Sequence, residues 1–504
     1  MNPARAKVAL LAALVLGAAG DIVLRAWPWG LGFVGLVALA VVAALATAFD
    51  RPFGIGRDPR DRDRVIALAA TFVFALGLVL RDAPTLVAYN VLAMFTCAAL
   101  ATWPMYGRSV ARFRVFDVVR ALARSAWTAV TGAPVLALSD ITWERPGASG
   151  GRRLRAATVG TLLAVPPVFV VGSLLAQADP MFGDFLTSWT RLGLDRTVEH
   201  AAVAAIIAWP AAGWLRGMAV APANGRLTRY GEPTRLDYFG VAPALYALVG
   251  LLAAFLGLQA RALFGGSAYV LATTGVTYAE YARRGFFELV AVSAIVLVLL
   301  LLGDWILDRR TPDADRRFRT MGWLLVALLA VLMASALQRM FLYVSFYGLS
   351  DTRLYATAGM AWVGVALGWF GWTILRGRRA RFGVGLLVIS AGWIATLNVI
   401  NPEAVVVRVN LARAIEGHPF DTAYHARLSA DAVPALLAAA DRLPAPECSD
   451  LVHHLATRWH EHEMLEHDWR SWTLPVARAE RLAGGSEQVL MRDHCPAVSL
   501  SAAR

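Results

Sequence analysis

The feature that most constrains this chain is a series of about eleven apolar runs, each close to 20 residues long and separated by short polar loops. A helix of about 20 apolar residues spans the hydrocarbon core of a bilayer. The runs are continuous rather than alternating, which favours helices over a transmembrane barrel. Only 17% of the residues are charged, against about 25% in soluble domains. We therefore predict an all-α fold, a polytopic transmembrane helical bundle.

The apolar runs fill the first 402 residues, which we predict to be one transmembrane domain. The predicted spans are 6–24, 31–49, 65–81, 85–106, 156–176, 198–216, 239–258, 286–307, 320–344, 355–375 and 383–400.

The loops between the spans alternate between arginine-rich and arginine-poor. Loops 51–64 and 308–319 hold five arginines each, and loop 376–382 holds four. If the N-terminus is cytoplasmic, the inner segments hold 29 cations and the outer segments hold eight. The positive-inside rule favours this orientation. Because the number of spans is odd, the C-terminus is predicted to be extracytoplasmic.

One cytoplasmic segment, 107–139, could overturn that orientation. Residues 108–124 carry five arginines, most of them on the helical face opposite an apolar stripe. Two alternatives stay open: an interfacial amphipathic helix beside anionic lipid, or a cytoplasmic linker helix. A membrane span through 118–139 would place Arg120 and Arg124 within the bilayer, which is costly, and would invert the orientation of every later span.

The net charge of +12 does not indicate nucleic-acid binding. Residues 403–504 carry a net charge of −4, so the first 402 residues carry +16. That excess lies in the short loops between spans, where the topology explains it. The predicted partner is the lipid bilayer, and we expect no nucleic acid.

After Asn401-Pro402 the composition changes, and we predict a helical extracytoplasmic domain over 403–504. Ser429 is a suitable N-cap for the periodic run 431–443, and Ser449 or Asp450 for a second helix. Gly484-Gly485 would end a third helix.

The C-terminal domain contains two cysteines, Cys448 and Cys495. In an extracytoplasmic domain they could form a disulfide. The alternative is two unpaired thiols, which is favoured if the domain is cytoplasmic.

Eight of the nine histidines lie in this domain. His453, His460 and His467 recur every seven residues, and Glu463 lies on the same helical face. Imidazole and carboxylate groups at this spacing can bind zinc. However, HExxH is absent, and a solvated helix surface is the alternative. We expect no cofactor.

A second group of ionisable residues lies at the outer ends of the predicted spans. Because such groups are costly at membrane depth, they tend to face a cavity or each other. The hypothesis is an outward-facing polar pocket, and the alternative is an interfacial belt with internal ion pairs. The candidate pocket residues are Asp179, Glu280, Arg284, Glu288 and Arg339.

Several sequence stretches resemble a bacterial family of multi-pass membrane proteins. They are 178–182, 278–289, 339–349, 398–403, 421–424 and 428–434. The resemblance is to the DUF4173 family, with the DUF4153 family as the close alternative, and it covers roughly 155–440. It implies a bacterial inner-membrane location. It implies no activity and assigns no residue a role.

The chain has no glycine-rich phosphate loop, which argues against an ATP-driven pump. It also lacks a clear pair of interrupted spans of the kind that marks transporter repeats. The sequence therefore favours a non-enzymatic protein that transports, or that senses or scaffolds through its outer domain with an envelope protein as partner. The alternative is a membrane-embedded enzyme acting on a lipid-linked or cell-envelope substrate.

Overall fold

The computed structural model of the protein describes residues 2–49, 59–102, 115–141, 195–219, 236–274, 286–463 and 468–495, together with 160, 171–172, 175, 178–179 and 181. Regular structure in these residues is helical, which confirms the predicted fold class. The chain divides into two compact units. Unit 1 comprises residues 1–110, 116–226 and 466–477, and unit 2 comprises residues 111–115, 227–465 and 478–504.

The described part of unit 1 contains six long helices. They are α1 (Pro3–Leu24), α2 (Leu31–Ala48), α3 (Pro59–Leu80), α4 (Pro84–Ala101), α5 (Val115–Val135) and α6 (Asp195–Ala219). The first helix begins where Asn2 accepts a hydrogen bond from the Ala4 amide at 3.0 Å. Helices α1 and α4 each begin with a proline in the first turn. Proline is tolerated there because a backbone N–H at this position would have no partner within the helix.

Small residues let the helices of unit 1 approach closely. A Cβ added to Gly17 of α1 would lie 2.8 Å from the Ala208 side chain of α6. A Cβ added to Gly213 of α6 would lie 2.5 Å from the carbonyl oxygen of Ala129 on α5. Close contact of backbones is a common way for helices to associate in a bilayer.

Residues 468–473, here called the tail strap, belong to unit 1. The amide of Leu31 donates to the carbonyl of Trp472 at 2.9 Å, and that of Gly32 donates to the carbonyl of Arg470 at 3.1 Å. These bonds satisfy two free N–H groups at the start of α2. The Arg470 guanidinium also donates to the carbonyl of Ile22 at 2.6 Å. The tail strap therefore provides hydrogen-bond partners for backbone groups at the C-terminal end of α1 and the N-terminal end of α2.

The described part of unit 2 contains five long apolar helices. They are α7 (Tyr238–Thr274), α8 (Phe286–Ile306), α9 (Pro312–Tyr347), α10 (Asp351–Thr373) and α11 (Phe382–Ile400). Their apolar core is centred on Phe318, Leu325, Leu329 and Phe370, which are fully buried.

Six further α-helices follow α11 in the part of the chain that the structure describes. They are α12 (Pro402–Ile415), α13 (Thr422–Ala426), α14 (Val433–Ala440), α15 (Ala445–Glu463), α16 (Leu474–Ala483) and α17 (Glu487–His494). Residues 402–463 and 478–495, which lie in unit 2, are here called the C-terminal module. Asn401 links it to α11 in a left-handed conformation with φ of 56°, and its side chain accepts from the Ala404 amide at 3.3 Å.

Two predicted helix starts in the C-terminal module can be compared with the structure. Ser429 caps the short 3-10 turn Ala430–Ala432 that leads into α14. The prediction that Ser449 or Asp450 caps the next helix is wrong, because α15 begins at Ala445. Pro446 suits that earlier start, since proline is tolerated in the first helical turn.

Among the described residues, ten helices are long and apolar enough to cross a membrane: α1–α4 and α6–α11. They match ten of the predicted spans. The remaining prediction, 156–176, lies almost wholly outside the described residues. Helix α5 is not among the ten. This agrees with its sequence, because Arg120 and Arg124 would be costly to place within a bilayer. Which of the two predicted roles this segment has stays a prediction, as does the domain boundary at residue 402.

Candidate functional site

A pocket of about 570 Å³ lies among α7, α8 and α9 of unit 2. Most of its wall is apolar, and three polar or charged residues contribute to it. The lining residues are Leu251, Leu252, Phe255, Leu258, Gln259, Glu288, Leu289, Val292, Leu332 and Arg339. The pocket is therefore suited to a ligand that is largely apolar but has a polar group.

Two of the three polar or charged lining residues, Gln259 and Arg339, lie on α7 and α9. The side chains of Gln259 and Ser335 are both buried, and the Ser335 hydroxyl donates to the Gln259 amide oxygen at 3.0 Å. Arg339 lies one turn after Ser335 on the same face of α9 and is 9% exposed. A guanidinium offers several donors in a fixed plane, which suits phosphate and carboxylate groups.

Glu288 supplies the carboxylate of the pocket. It lies in the first turn of α8, where the helix dipole favours a negative charge. The pocket thus presents an anionic and a cationic side chain to the same space, with apolar walls between the helices. A carboxylate can bind an ammonium group, and an arginine can bind a phosphate.

The structure brings together two of the five candidate pocket residues, Glu288 and Arg339. Glu280 and Arg284 lie outside the described residues. Asp179 belongs to unit 1, where its carboxylate accepts from the Met181 amide at 2.8 Å. Gln259 and Ser335 were not singled out from the sequence, although polar residues within apolar runs are a recognisable signal.

The C-terminal module holds the end of α9, the helix that carries Arg339. The guanidinium of Arg413, on α12, donates to the carbonyls of Val344 at 2.9 Å and Phe346 at 3.3 Å, and also to that of Ser345. The Val344 carbonyl also accepts from the Gly348 amide at 2.9 Å, and Arg413 adds donors where the helix runs out of backbone N–H groups. The end of α9 is therefore fixed by a charged side chain of the module.

The link between α9 and α10 is held by the same module. Asn410 accepts from the Leu349 amide at 2.8 Å and donates to the Leu349 carbonyl at 2.7 Å. The Tyr424 hydroxyl donates to the Asp351 carboxylate at 3.1 Å and accepts from the Asp351 amide at 2.9 Å. Burial raises the pKa of Tyr424, so its hydroxyl stays protonated and can keep donating.

His425 lies beneath this link and is 3% exposed. Its Nδ1 is 2.6 Å from the Asp421 carbonyl, and its Nε2 is 2.9 Å from the Asn410 amide nitrogen. These partners fit a neutral ring that donates through Nδ1 and accepts through Nε2. Burial lowers the pKa of His425. The ring is therefore a neutral structural element near pH 7.

Cys448 and Cys495 are joined by a disulfide with a Cα–Cα distance of 6.0 Å. The bond ties the start of α15 to the residue after α17, across 47 positions of sequence. Cys97, on α4, is a free thiol.

Two of the four candidate zinc ligands, His453 and His460, have described side chains. His453 contacts Glu487 on α17, with its Nδ1 2.8 Å from the carboxylate, and His460 is exposed. His467 and the side chain of Glu463 lie outside the described part of the chain. Within that part, no three His, Cys, Asp or Glu side chains are arranged to hold a metal ion.

A polar cluster that the sequence predictions missed lies in unit 1, where α1 ends and α6 begins. The Asp21 carboxylate is buried, and it bonds Nδ1 of His200 and the Arg25 guanidinium, the latter at 2.9 Å. Arg25 also pairs with Glu199 at 2.7 Å. Two sequence features could have indicated this cluster: an acidic residue, Asp21, inside an apolar run, and His200, the one histidine that lies outside the C-terminal domain.

The helices and the pocket define a polytopic α-helical membrane protein with an amphipathic cavity among its spans. A family model described as a domain of unknown function, DUF4153, matches residues 68–439. The chain belongs to this family, which the sequence motifs had indicated as the close alternative. The match includes all the pocket residues and the module as far as α14. Comparisons with curated proteins and with solved structures gave no significant match.

Proposed function

We propose that the protein is a non-enzymatic sensor of the bacterial inner membrane. It binds an amphiphile in the pocket of unit 2, and the binding changes the conformation of the extracytoplasmic C-terminal module. The observation that carries the proposal is the pocket itself, with apolar walls and the opposed charges of Glu288 and Arg339. A phospholipid with an ammonium and a phosphate in its headgroup has the matching chemistry.

Helix α9 supports the transmission step, because it contributes to both places. Arg339 lines the pocket, and one to two turns further on the same helix ends against Arg413 of the module. A ligand can shift a conformational equilibrium only by contacting its two states differently. A ligand that contacts Arg339 differently in two positions of α9 would also shift the contact between the end of α9 and Arg413 of the module.

The proposed orientation, with the N-terminus inside and the module outside, is supported by two arginine-rich loops that meet on shared carboxylates. Arg309 pairs with Asp304 at 2.5 Å, and Arg379 pairs with Asp304 at 2.9 Å and with Asp315 at 2.6 Å. Loops 308–319 and 376–382 are therefore at the same end of unit 2, as alternating topology requires. A disulfide in the module fits an oxidising compartment.

The orientation can be tested with thiol labelling in intact spheroplasts of a Cys97→Ser variant. A membrane-impermeant phosphine should reduce the disulfide, and an impermeant maleimide should then label Cys448 and Cys495. Labelling only after the cells are lysed would contradict the proposed orientation.

Ligand binding can be tested with a phosphatidylethanolamine that carries a photoactivatable diazirine in its acyl chain. The pocket-blocking variant is Val292→Trp, because Val292 lines the pocket. The matched control is Val298→Trp on the same helix, at a position that is 54% exposed. Crosslinks in the wild type should map to the pocket walls, disappear with Val292→Trp and persist with Val298→Trp. Crosslinks spread evenly over the apolar helices, unchanged by Val292→Trp, would overturn the proposal.

A second candidate function, a membrane-embedded enzyme acting on a lipid-linked or envelope substrate, is supported by one observation. The buried carboxylate of Asp21 holds Nδ1 of His200, whose side chain is half-exposed. A carboxylate in this position orients an imidazole so that its other nitrogen can accept a proton. We expect diethyl pyrocarbonate to modify His200 faster than the exposed His418, and Asp21→Asn to remove the difference. Equal rates in the wild type would remove the support for this alternative.

A further inference from the structure

One end of unit 2 carries a group of exposed arginines. They follow α8, lie in the first turns of α9, and occupy the segment between α10 and α11. This group, here called the arginine face, consists of Arg310, Arg316, Arg317, Arg376, Arg378 and Arg381. Segments 304–319 and 376–381 together contain nine arginines and four aspartates, a net charge of +5.

Two of the four carboxylates at this end, Asp304 and Asp315, bind arginines that lie outside the arginine face, and Asp308 pairs with Arg310 of the face at 3.4 Å. Asp315 accepts from Arg309 at 3.1 Å and pairs with Arg319 at 2.5 Å, in addition to Arg379. Asp304 is shared between Arg309 and Arg379. These pairs fix the two loops against each other, and they leave the positive charge of the exposed arginines largely unbalanced.

A glycine turn ends α10 and sets the position of two of these arginines. Gly377 has φ of +80°, a conformation that favours glycine. Its amide donates to the Ile374 carbonyl at 3.0 Å, and the Arg378 amide donates to the Thr373 carbonyl at 2.7 Å. This pair of bonds is a Schellman motif. It places Arg376 and Arg378 on either side of the glycine, both exposed.

Tryptophans lie one turn further into the span beside the arginine face. The Arg376 guanidinium lies over the Trp372 ring, 4.2 Å from its centroid. Trp372 is 49% exposed and Trp323, on α9, is 44% exposed. Tryptophan at the end of a span is typical of the headgroup level of a bilayer. We therefore expect the arginines beside it to lie at the depth of the lipid phosphates.

We propose that the arginine face is a binding site for anionic phospholipid headgroups, with Arg376, Arg378 and Arg381 as the direct contacts. Three features support this ligand: the excess of positive charge, the planar donors that arginine offers to phosphate, and the interfacial tryptophans. The acyl chains would lie along Trp372 and the apolar surface of α10. This site is separate from the pocket at Arg339 and does not depend on the proposed sensing function.

The test is native mass spectrometry of the full chain in detergent, titrated with phosphatidylglycerol. The variant carries Arg376→Gln, Arg378→Gln and Arg381→Gln. The matched control carries Arg408→Gln, Arg427→Gln and Arg442→Gln, which remove the same charge from exposed positions of the C-terminal module. Each cation near a membrane surface contributes about fivefold to anionic-lipid affinity. We expect the variant to weaken binding by about 100-fold and the control to leave it unchanged.

Two further arms identify the source of the phosphate. Phosphatidylcholine should bind more weakly than phosphatidylglycerol, with no difference between the variant and the wild type. Soluble glycerol 3-phosphate should not compete. Equal losses in the variant and the control, no loss in either, or full competition by glycerol 3-phosphate would each overturn the proposal. If the triple variant does not fold, Arg378→Gln alone should weaken binding by about fivefold.

Discussion

The guanidinium of Arg413 donates a hydrogen bond to the carbonyl of Val344 at 2.9 Å, so a residue of the C-terminal module closes the end of a membrane-spanning helix. The same arginine serves two further carbonyls of that helix. Hydrogen bonds from a charged donor contribute about 1.5–3 kcal/mol each, and the group is only partly buried, so we take the lower part of that range for the whole interaction.

Replacing Arg413 with Gln should therefore loosen the end of α9. With a loss of about 2 kcal/mol, amide hydrogen exchange over residues 340–347 should rise by about 30-fold. The matched control is Arg408→Gln, an exposed arginine on the same helix, α12. Equal exchange in the two variants would show that Arg413 does not fix the helix end.

Reducing the disulfide between Cys448 and Cys495 should destabilise the C-terminal module. The bond closes a loop of 47 residues, and loop-closure entropy for that length corresponds to about 4 kcal/mol. Cys448→Ser and Cys495→Ser should each lower the denaturant midpoint of the module, measured by hydrogen exchange, by the same amount as reduction. Cys97→Ser should leave the midpoint of the module unchanged. A midpoint that is insensitive to reduction would contradict the disulfide.

His425 should make the stability of the module depend on pH. Burial lowers its pKa in the folded state below the unfolded value of about 6.5. The unfolded chain therefore binds the proton more readily, and the stability contribution, complete above about pH 6.5, falls as the pH drops below it. The slope is at most about 1.4 kcal/mol per pH unit.

The pH effect can be measured as the denaturant midpoint of the module between pH 8 and about pH 5. His425→Gln should remove the component that arises from this ring, although it should also lower stability at pH 8. His418→Gln is the control, because His418 is exposed. An unchanged pH slope in His425→Gln would rule out the buried ring as its source.

Gly213 should tolerate no side chain, because α5 and α6 meet there through their backbones. A Cβ at this position would lie 2.7 Å from the Cα of Ala129, and overpacking of this kind costs about 1–3 kcal/mol. Gly213→Ala should lower the thermal midpoint of the protein. Gly250→Ala is the control, since a Cβ there meets nothing within 4 Å. The prediction fails if Gly213→Ala is as stable as Gly250→Ala.

The sequence was sufficient to predict the membrane helices, because a run of apolar residues near 20 in length has one stable arrangement in a bilayer. Ten of the predicted spans have a corresponding helix. The start of α15 was misplaced, because serine and aspartate suit an N-cap and also tolerate the first turn of a helix. Local preference alone does not distinguish these positions.

The candidate site was less predictable, because pockets depend on which helices become neighbours. Glu288 and Arg339 were identified as charges near span ends, and the structure brings them to one pocket. Gln259 and Ser335 are 76 positions apart, and nothing local in either segment indicates that their side chains meet. The same holds for Asp21 and His200, which are 179 positions apart.

The coupling of the pocket to the C-terminal module through α9 is tested most directly by hydrogen exchange of residues 402–426 in lipid nanodiscs. The protein should be compared in phosphatidylethanolamine nanodiscs and in lipid-free detergent, as wild type, Val292→Trp and Val298→Trp. We predict that lipid slows exchange in α12 and α13 of the wild type and of Val298→Trp, but not of Val292→Trp, in which the pocket is filled. The same response to lipid in all three proteins would contradict the proposed coupling.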